Sequence, residues 1–420
     1  MNNTNQRSLT KVALIILIFF IISFLTNILG ALNPSVSKDY SLTETLTGFL
    51  PFSFFIAYGV MSIPSGMLLE KYKEKRMLLV AFGLSALGSL LFVSFPAFRV
   101  YLISLFTIGT GLAMLQVIIN PLLRVTGGEE NYAFYSVLAQ LAFGLASFVS
   151  PLLYTWIVTN VHSSSEGPVL SILNDFSPTN MPWVALYVVF ALISVLMMVL
   201  IYMTRFPKVE LKEDEKSGSW QNYLDLLKNK TVLLFFFGIF AYVGAEQGIS
   251  YWMSKFLSEY HGYDFETTGA SAVANYWGLM TLGGVLGLIL LKLFDSKMVL
   301  KLFTSLTILC FLAGLFGNSQ MALYLLPATG FFMSVMYPII ISLALNSVDT
   351  NHGSFAGVLM SGIMGGAVVQ LLIGGLADVF DLRMAMLFNM VALLYILSIA
   401  FWAKPLIKNK TLDLFKSEGE

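Results

Sequence analysis

A chain of 420 residues with 57% hydrophobic and only 11% charged side chains is not built as a soluble domain, where about a quarter of residues carry charge. Acids and bases balance at 24 each, so the net charge is zero and the information lies in where the charges fall. One cysteine, Cys310, excludes an internal disulfide and a multi-cysteine metal site, and His162, His261 and His352 stand far apart in expected loops, which argues against a histidine metal centre.

Crossing a bilayer takes about 20 apolar residues. Twelve runs meet that length, at 12–32, 46–69, 77–95, 100–121, 134–158, 183–204, 232–257, 268–293, 298–317, 320–345, 353–377 and 383–403. The first is too long for the core of a cleavable leader and reads as an uncleaved first span. With the N-terminus inside, Lys38, Arg99, Lys255 and Arg383 are the outer cations, and the other 20 of the 24 Lys and Arg residues fall on the cytoplasmic side. Both termini are therefore expected in the cytoplasm.

The charged link 205–231 divides the chain into two sets of six, giving a first bundle 1–204, a linker 205–231 and a second bundle 232–420. The halves echo each other. Gly66 to Lys71 and then Lys75-Arg76 follow span 2, and Gly287 to Lys292 and then Lys297 follow span 8; Asn120-Pro121 in span 4 answers Tyr337-Pro338 in span 10. Such repeats suit a transporter with its site at the midplane between halves. Within the linker, Ser219–Lys228 would put Trp220, Tyr223, Leu224 and Leu227 on one helical face, able to lie on the cytoplasmic surface.

Span 7 holds the most informative stretch, Tyr242-Val243-Gly244-Ala245-Glu246-Gln247-Gly248. A carboxylate in the middle of an apolar span costs a few kcal/mol or more unless protonated, paired or wetted. Glu246 is the only acid expected deep in a span.

The motifs Ile63-Pro64-Ser65-Gly66, Ile119-Asn120-Pro121, Leu138-Ala139-Gln140, Tyr242-Val243-Gly244-Ala245-Glu246 and Gly365-Gly366-Ala367 together resemble the fucose–galactose–glucose:cation symporters of the major facilitator superfamily. The resemblance implies an all-α membrane protein with twelve transmembrane helices in two pseudo-symmetric six-helix bundles. It implies a secondary transporter that imports a hexose or hexose derivative by alternating access. The departures fall on titratable positions: Gly30 stands where the family carries an Asp late in span 1, and Gln116 where it carries a Glu in span 4. Val137 replaces an Asn, and Gln370 displaces a proline. Asn27, Asn120, Gln140 and the Glu246 region match.

Sugar recognition needs amides and carboxylates to bracket hydroxyls, and aromatic faces against the ring. The candidates are Asn27, Gln116, Asn120, Gln140, Gln247, Asn275, Trp277 and Gln370, with Tyr251, Trp252, Tyr276 and Tyr337 at similar depth. Any one amide could instead serve only to join helices, an interaction worth about 0.6 kcal/mol in membranes. Glu246 is the expected coupling residue, exchanging H+ or sharing Na+ with oxygen ligands. By the resemblance, Glu70 with Lys71 and Arg76 would form cytoplasmic ion pairs that stabilise the outward-open state. No organic cofactor or resident metal is expected. The partners are a sugar and the lipid bilayer, with no nucleic acid, and the unit is a monomer in the bacterial inner membrane. The alternatives are an exporter of amphipathic compounds on the same fold, which would want aromatics and Met in place of amides, or an uncoupled facilitator. An enzyme would need a nucleophile–base or metal constellation in the spans, and none is evident.

Overall fold

Each apolar run becomes a helix, and every span but the fifth begins one to three residues before its expected start. The computed structural model describes residues 9–128, 131–163, 167–206, 220–348 and 351–406. Spans 1 to 6 are Leu9–Asp39, Glu44–Leu69, Glu74–Ser94, Phe98–Gly127, Phe134–Asn160 and Pro182–Met203. Spans 7 to 12 are Lys230–His261, Phe265–Leu293, Ser296–Phe316, Ser319–Leu345, His352–Val379 and Leu382–Trp402. Polar caps explain much of the added length. The side chains of Asn229, Asp264, Asp295, Asn318 and Asp381 accept backbone N–H groups at the starts of spans 7, 8, 9, 10 and 12. These donors have no partner within the helix.

Lys255, expected among the outer cations at the end of the run 232–257, lies a turn and a half inside the end of span 7 and is only 7% exposed. His261 and His352 are the end residues of spans 7 and 11 rather than loop residues. Several spans are broken: span 1 at 27–28, span 10 at 334–335 and span 12 at 387–388, while span 11 passes through one tighter turn at Gly362–Met364. Asn27 stands at the first of these breaks.

Helix packing repeats with a shift of six. Spans 2 and 4, 3 and 4, 3 and 6, and 1 and 5 pack together, as do 8 and 10, 9 and 10, 9 and 12, and 7 and 11. Between the two sets, span 2 lies along span 11 and span 5 along span 8, each pair the image of the other under exchange of halves. The basic echo seen in the sequence has a structural job. Lys75 Nζ donates to the carbonyls of Tyr202 and Thr204 at 2.6 and 2.9 Å, and Lys297 Nζ donates to that of Ala403 at 2.8 Å. Each lysine neutralises the carbonyl end of the last span in its own half.

Leu9 and Trp402 begin and end an even number of spans, so both lie on one face, called here the basic face for its Lys and Arg residues. Two short helices flank the bundle. Pro168–Asp175 follows span 5 on the opposite face. Trp220–Leu226 precedes span 7 on the basic face, with Tyr223 buried against Gly357 of span 11. Trp220, Leu224 and Leu227 of the expected apolar face are exposed. Residues 207–219 of the linker lie outside the described set.

Candidate functional site

Glu246 lies at the middle of span 7, Lys230–His261, and its neighbours are phenols and amides. The Tyr242 hydroxyl donates to Glu246 Oε1 at 2.6 Å, one turn away on the same helix. Tyr276 of span 8 donates to the Glu246 carbonyl at 3.3 Å, and Tyr337 of span 10 packs its ring 5.6 Å from that of Tyr242. The carboxylate itself is bonded by Tyr242, while Tyr276 holds the backbone carbonyl of the same residue and the Tyr337 hydroxyl donates to Met360 Sδ at 3.6 Å.

Gln247 and Gln370 join this cluster from spans 7 and 11. Gln370 is fully buried and its Nε2 donates to the Gly244 carbonyl at 3.3 Å, while its Oε1 has no hydrogen-bond partner. Gln247 is 5% exposed. A side chain at Gly366 would meet Phe55 of span 2 at 3.1 Å and Gln247 Cγ at 3.3 Å, so the glycine lets both halves reach this point. Trp277 is 4% exposed with an unpartnered Nε1. Buried polar atoms left unpaired cost about 1–3 kcal/mol each, and a hydroxylated ligand could satisfy them.

The first half contributes a second cluster. Asn27 Nδ2 donates to Ser147 Oγ at 2.8 Å and to Ser23 Oγ at 3.3 Å, and the two serine hydroxyls bond each other at 2.5 Å. Two turns along span 5 from Ser147, Gln140 is exposed although it shares the inward stripe with Ser147 and Tyr154. Gln116 is half-buried and Asn120, one turn on along span 4, is exposed. Asn275 is not brought to either cluster: it is exposed on the face of span 8 that carries Leu282, Leu286 and Ile289, away from Trp277. Tyr251 and Trp252 are buried, and Tyr251 serves as a clasp between halves. Of the three expected surface charges, Lys71 lies 5.2 Å over the Tyr72 ring, Arg76 is exposed, and the Glu70 side chain is outside the described set.

The opposite face is shut by contacts that the sequence did not announce. Asn33 Nδ2 of span 1 donates to the Tyr251 carbonyl of span 7 at 2.9 Å, and the Tyr251 hydroxyl donates to the Thr47 carbonyl of span 2 at 2.8 Å. Lys255 bridges to Glu44 of span 2 at 2.6 and 2.7 Å. Asp378 of span 11 accepts the backbone N–H groups of Glu44 and Thr45 at 2.7 and 2.9 Å, capping span 2 from the other half. Thr155 of span 5 donates to the Glu266 carbonyl of span 8 at 2.6 Å. Nearer the basic face, Gly144 still packs on Thr281, but a side chain at Gly284 would meet nothing within 4 Å. Together with the exposed Gln140, this marks an opening between spans 5 and 8 toward the basic face.

Residues 15–367 match the Major Facilitator Superfamily. The chain belongs to that superfamily. This superfamily member is 28% identical over 389 residues to a glucose/galactose transporter of Brucella abortus biovar 1 (strain 9-941), covering 90% of each chain. It is 27% identical over 393 residues to the L-fucose-proton symporter of Escherichia coli (strain K12), covering 87% of this chain and 86% of that one. Among solved structures, FucP in the outward conformation superposes with a TM-score of 0.69 at 24% identity, covering 94% and 99% of the two chains. A bacterial homologue of the human lysosomal transporter Spinster, in an inward-facing and occupied conformation, superposes at 0.75 with 13% identity, covering 94% and 96%. The expected fold, a twelve-span membrane transporter of this superfamily with likeness to the fucose permease group, is the one observed.

Proposed function

We propose that the chain imports a hexose or hexose derivative across the bacterial inner membrane, the sugar moving with H+ or Na+ through Glu246. In this reading the basic face is cytoplasmic, as the positive-inside rule requires, and the arrangement described is the inward-facing one. The observation that carries it is the Glu246 carboxylate, held by Tyr242 at 2.6 Å in the middle of span 7 beside Gln247 and Gln370. A carboxylate at that depth has few uses other than exchanging a cation. The amides, with the unpartnered Gln370 Oε1 and Trp277 Nε1, offer the acceptors and donors that a polyol would take. The names of the relatives support the substrate class. Sugar hydroxyls would bridge the Glu246 cluster of the second half and the Gln140 and Asn27 side of the first, which gives the substrate a part in bringing the halves together.

The test is uptake of labelled hexoses and N-acetylhexosamines into proteoliposomes under an imposed proton or sodium gradient. One sugar should accumulate with one gradient, and Glu246→Gln should equilibrate that sugar without concentrating it. Concentration by the variant as good as wild type would make Glu246 structural. Equilibration without accumulation by the wild type itself would make the chain a facilitator, the outcome that Gly30 and Gln116 in place of acids would explain.

A further inference from the structure

Lys255 is the most buried cation among the described residues, and it sits on the seam between the halves. Its Nζ touches Glu44 at 2.6 and 2.7 Å, Ser37 Oγ at 3.0 Å and Glu259 at 3.7 Å. The two carboxylates differ in which body they belong to. Glu44 opens span 2 in the first half, as does the Ser37 hydroxyl on span 1, which also bonds Thr47 at 3.1 Å. Glu259 lies one turn beyond Lys255 on span 7 itself. The side chains of Lys255, Glu44 and Glu259 are 9, 21 and 44% exposed.

When this face opens, span 7 leaves spans 1 and 2. Lys255 then loses Glu44 and Ser37 together, and an ammonium left in a half-dry cleft is costly unless another carboxylate takes it up. Glu259 cannot leave, because residues four apart on a helix stay neighbours however the helix moves. Asp378 of span 11 is engaged here by the Glu44 and Thr45 N–H groups and the Thr45 hydroxyl; it too loses span 2 on opening, but Glu259, already 3.7 Å from Lys255 Nζ on the same helix, is the carboxylate at hand.

We propose that Lys255 exchanges partners during transport, bound to Glu44 when the opposite face is shut and to Glu259 when it is open. This rests on the alternating-access reading above but not on which sugar is carried. The two acids then bias one equilibrium in opposite directions, which a merely structural ion pair would not do.

The reporter is Ser250→Cys, at a residue 2% exposed whose carbonyl packs under Gly30 at the seam, in a background with Cys310→Ser. Labelling by a membrane-impermeant maleimide is followed from the opposite face, without sugar. Glu44→Gln should raise the labelling rate about fivefold or more, and Glu259→Gln should lower it by a similar factor, the scale of an ordinary coupling between sites. With Lys255→Met added, the two carboxylate variants should label at one common rate. If Glu44→Gln does not accumulate in membranes, Glu44→Asp replaces it with the same expected direction. An unchanged or raised rate in Glu259→Gln overturns the exchange, as do carboxylate effects that persist without Lys255. Because labelling needs no substrate, opposite shifts in a chain that moves no sugar would sink only the sugar reading. Active sugar uptake with unchanged labelling would sink only the exchange.

Discussion

At the residue scale, Gly30 shows how one position can mislead when read by chemistry alone. The resemblance places an Asp there, so the sequence suggests a lost coupling acid. In the structure a Cβ at Gly30 would lie 2.6 Å from the Ser250 carbonyl oxygen, where spans 1 and 7 meet on the shut face. Overpacking such a contact costs about 1–3 kcal/mol. Gly30→Asp should therefore not confer proton coupling; it should prop the spans apart and cut uptake about tenfold or more under either gradient. Gly30→Ala should do much the same, since the obstacle is the first carbon of any side chain. A gain of proton-driven accumulation in the Asp variant, with Ala neutral, would show that chemistry and not space decides this position. Glu246 was legible because a carboxylate amid apolar residues is costly enough to need a reason. Lys255 was not, because a lysine near the end of an apolar run is ordinarily able to reach water. Its partner Glu44 is 211 positions away in sequence, a pairing no local pattern can announce. Asn275 and Trp277 looked equivalent because lipid and protein core both select apolar neighbours, so hydropathy does not tell the outer face of a span from the inner one.

At the element scale, the twelve spans could be read because hydrophobic length is fixed by bilayer thickness, whereas their true ends are fixed by caps that hydropathy does not weigh. Span 7 begins where Asn229 accepts the Thr231 N–H at 2.9 Å and runs on to His261, beyond its apolar core. The helix Trp220–Leu226 was also legible, from its apolar spacing, but only in part. Tyr223 turns into span 11 while Trp220, Leu224 and Leu227 remain exposed, and Gln221, Asn222, Asp225 and Lys228 occupy the remaining side. A short helix tethered to the start of span 7 with an uncovered apolar face belongs in the headgroup layer. The part of the fluorescence that is lost in Trp220→Phe should be quenched by lipids labelled near the headgroup and be little affected by aqueous iodide. The reverse pattern would place the exposed side of this helix in water.

For the whole molecule, the decisive geometry is that spans 2 with 11 and 5 with 8 carry the seam between two internally packed halves. Contacts along 5 and 8 run from Thr155–Glu266 near the opposite face to Gly144–Thr281, and beyond that the helices part. If the halves rock as bodies, closure of one end of this seam must open the other. A pair Thr155→Cys and Glu266→Cys, in a background with Cys310→Ser, should be joined by a short bifunctional thiol reagent, and uptake should fall to background until the link is cleaved. A pair Gln140→Cys and Gly284→Cys should be joined only in molecules that have rocked the other way, and should likewise stop uptake. With all four cysteines present, the first link should prevent the second. That exclusion follows from rigid halves turning about the middle of spans 5 and 8, close to the level of Glu246. Both links forming in one molecule would mean that the spans bend independently, and that the packing repeated between halves reflects ancestry more than the motion.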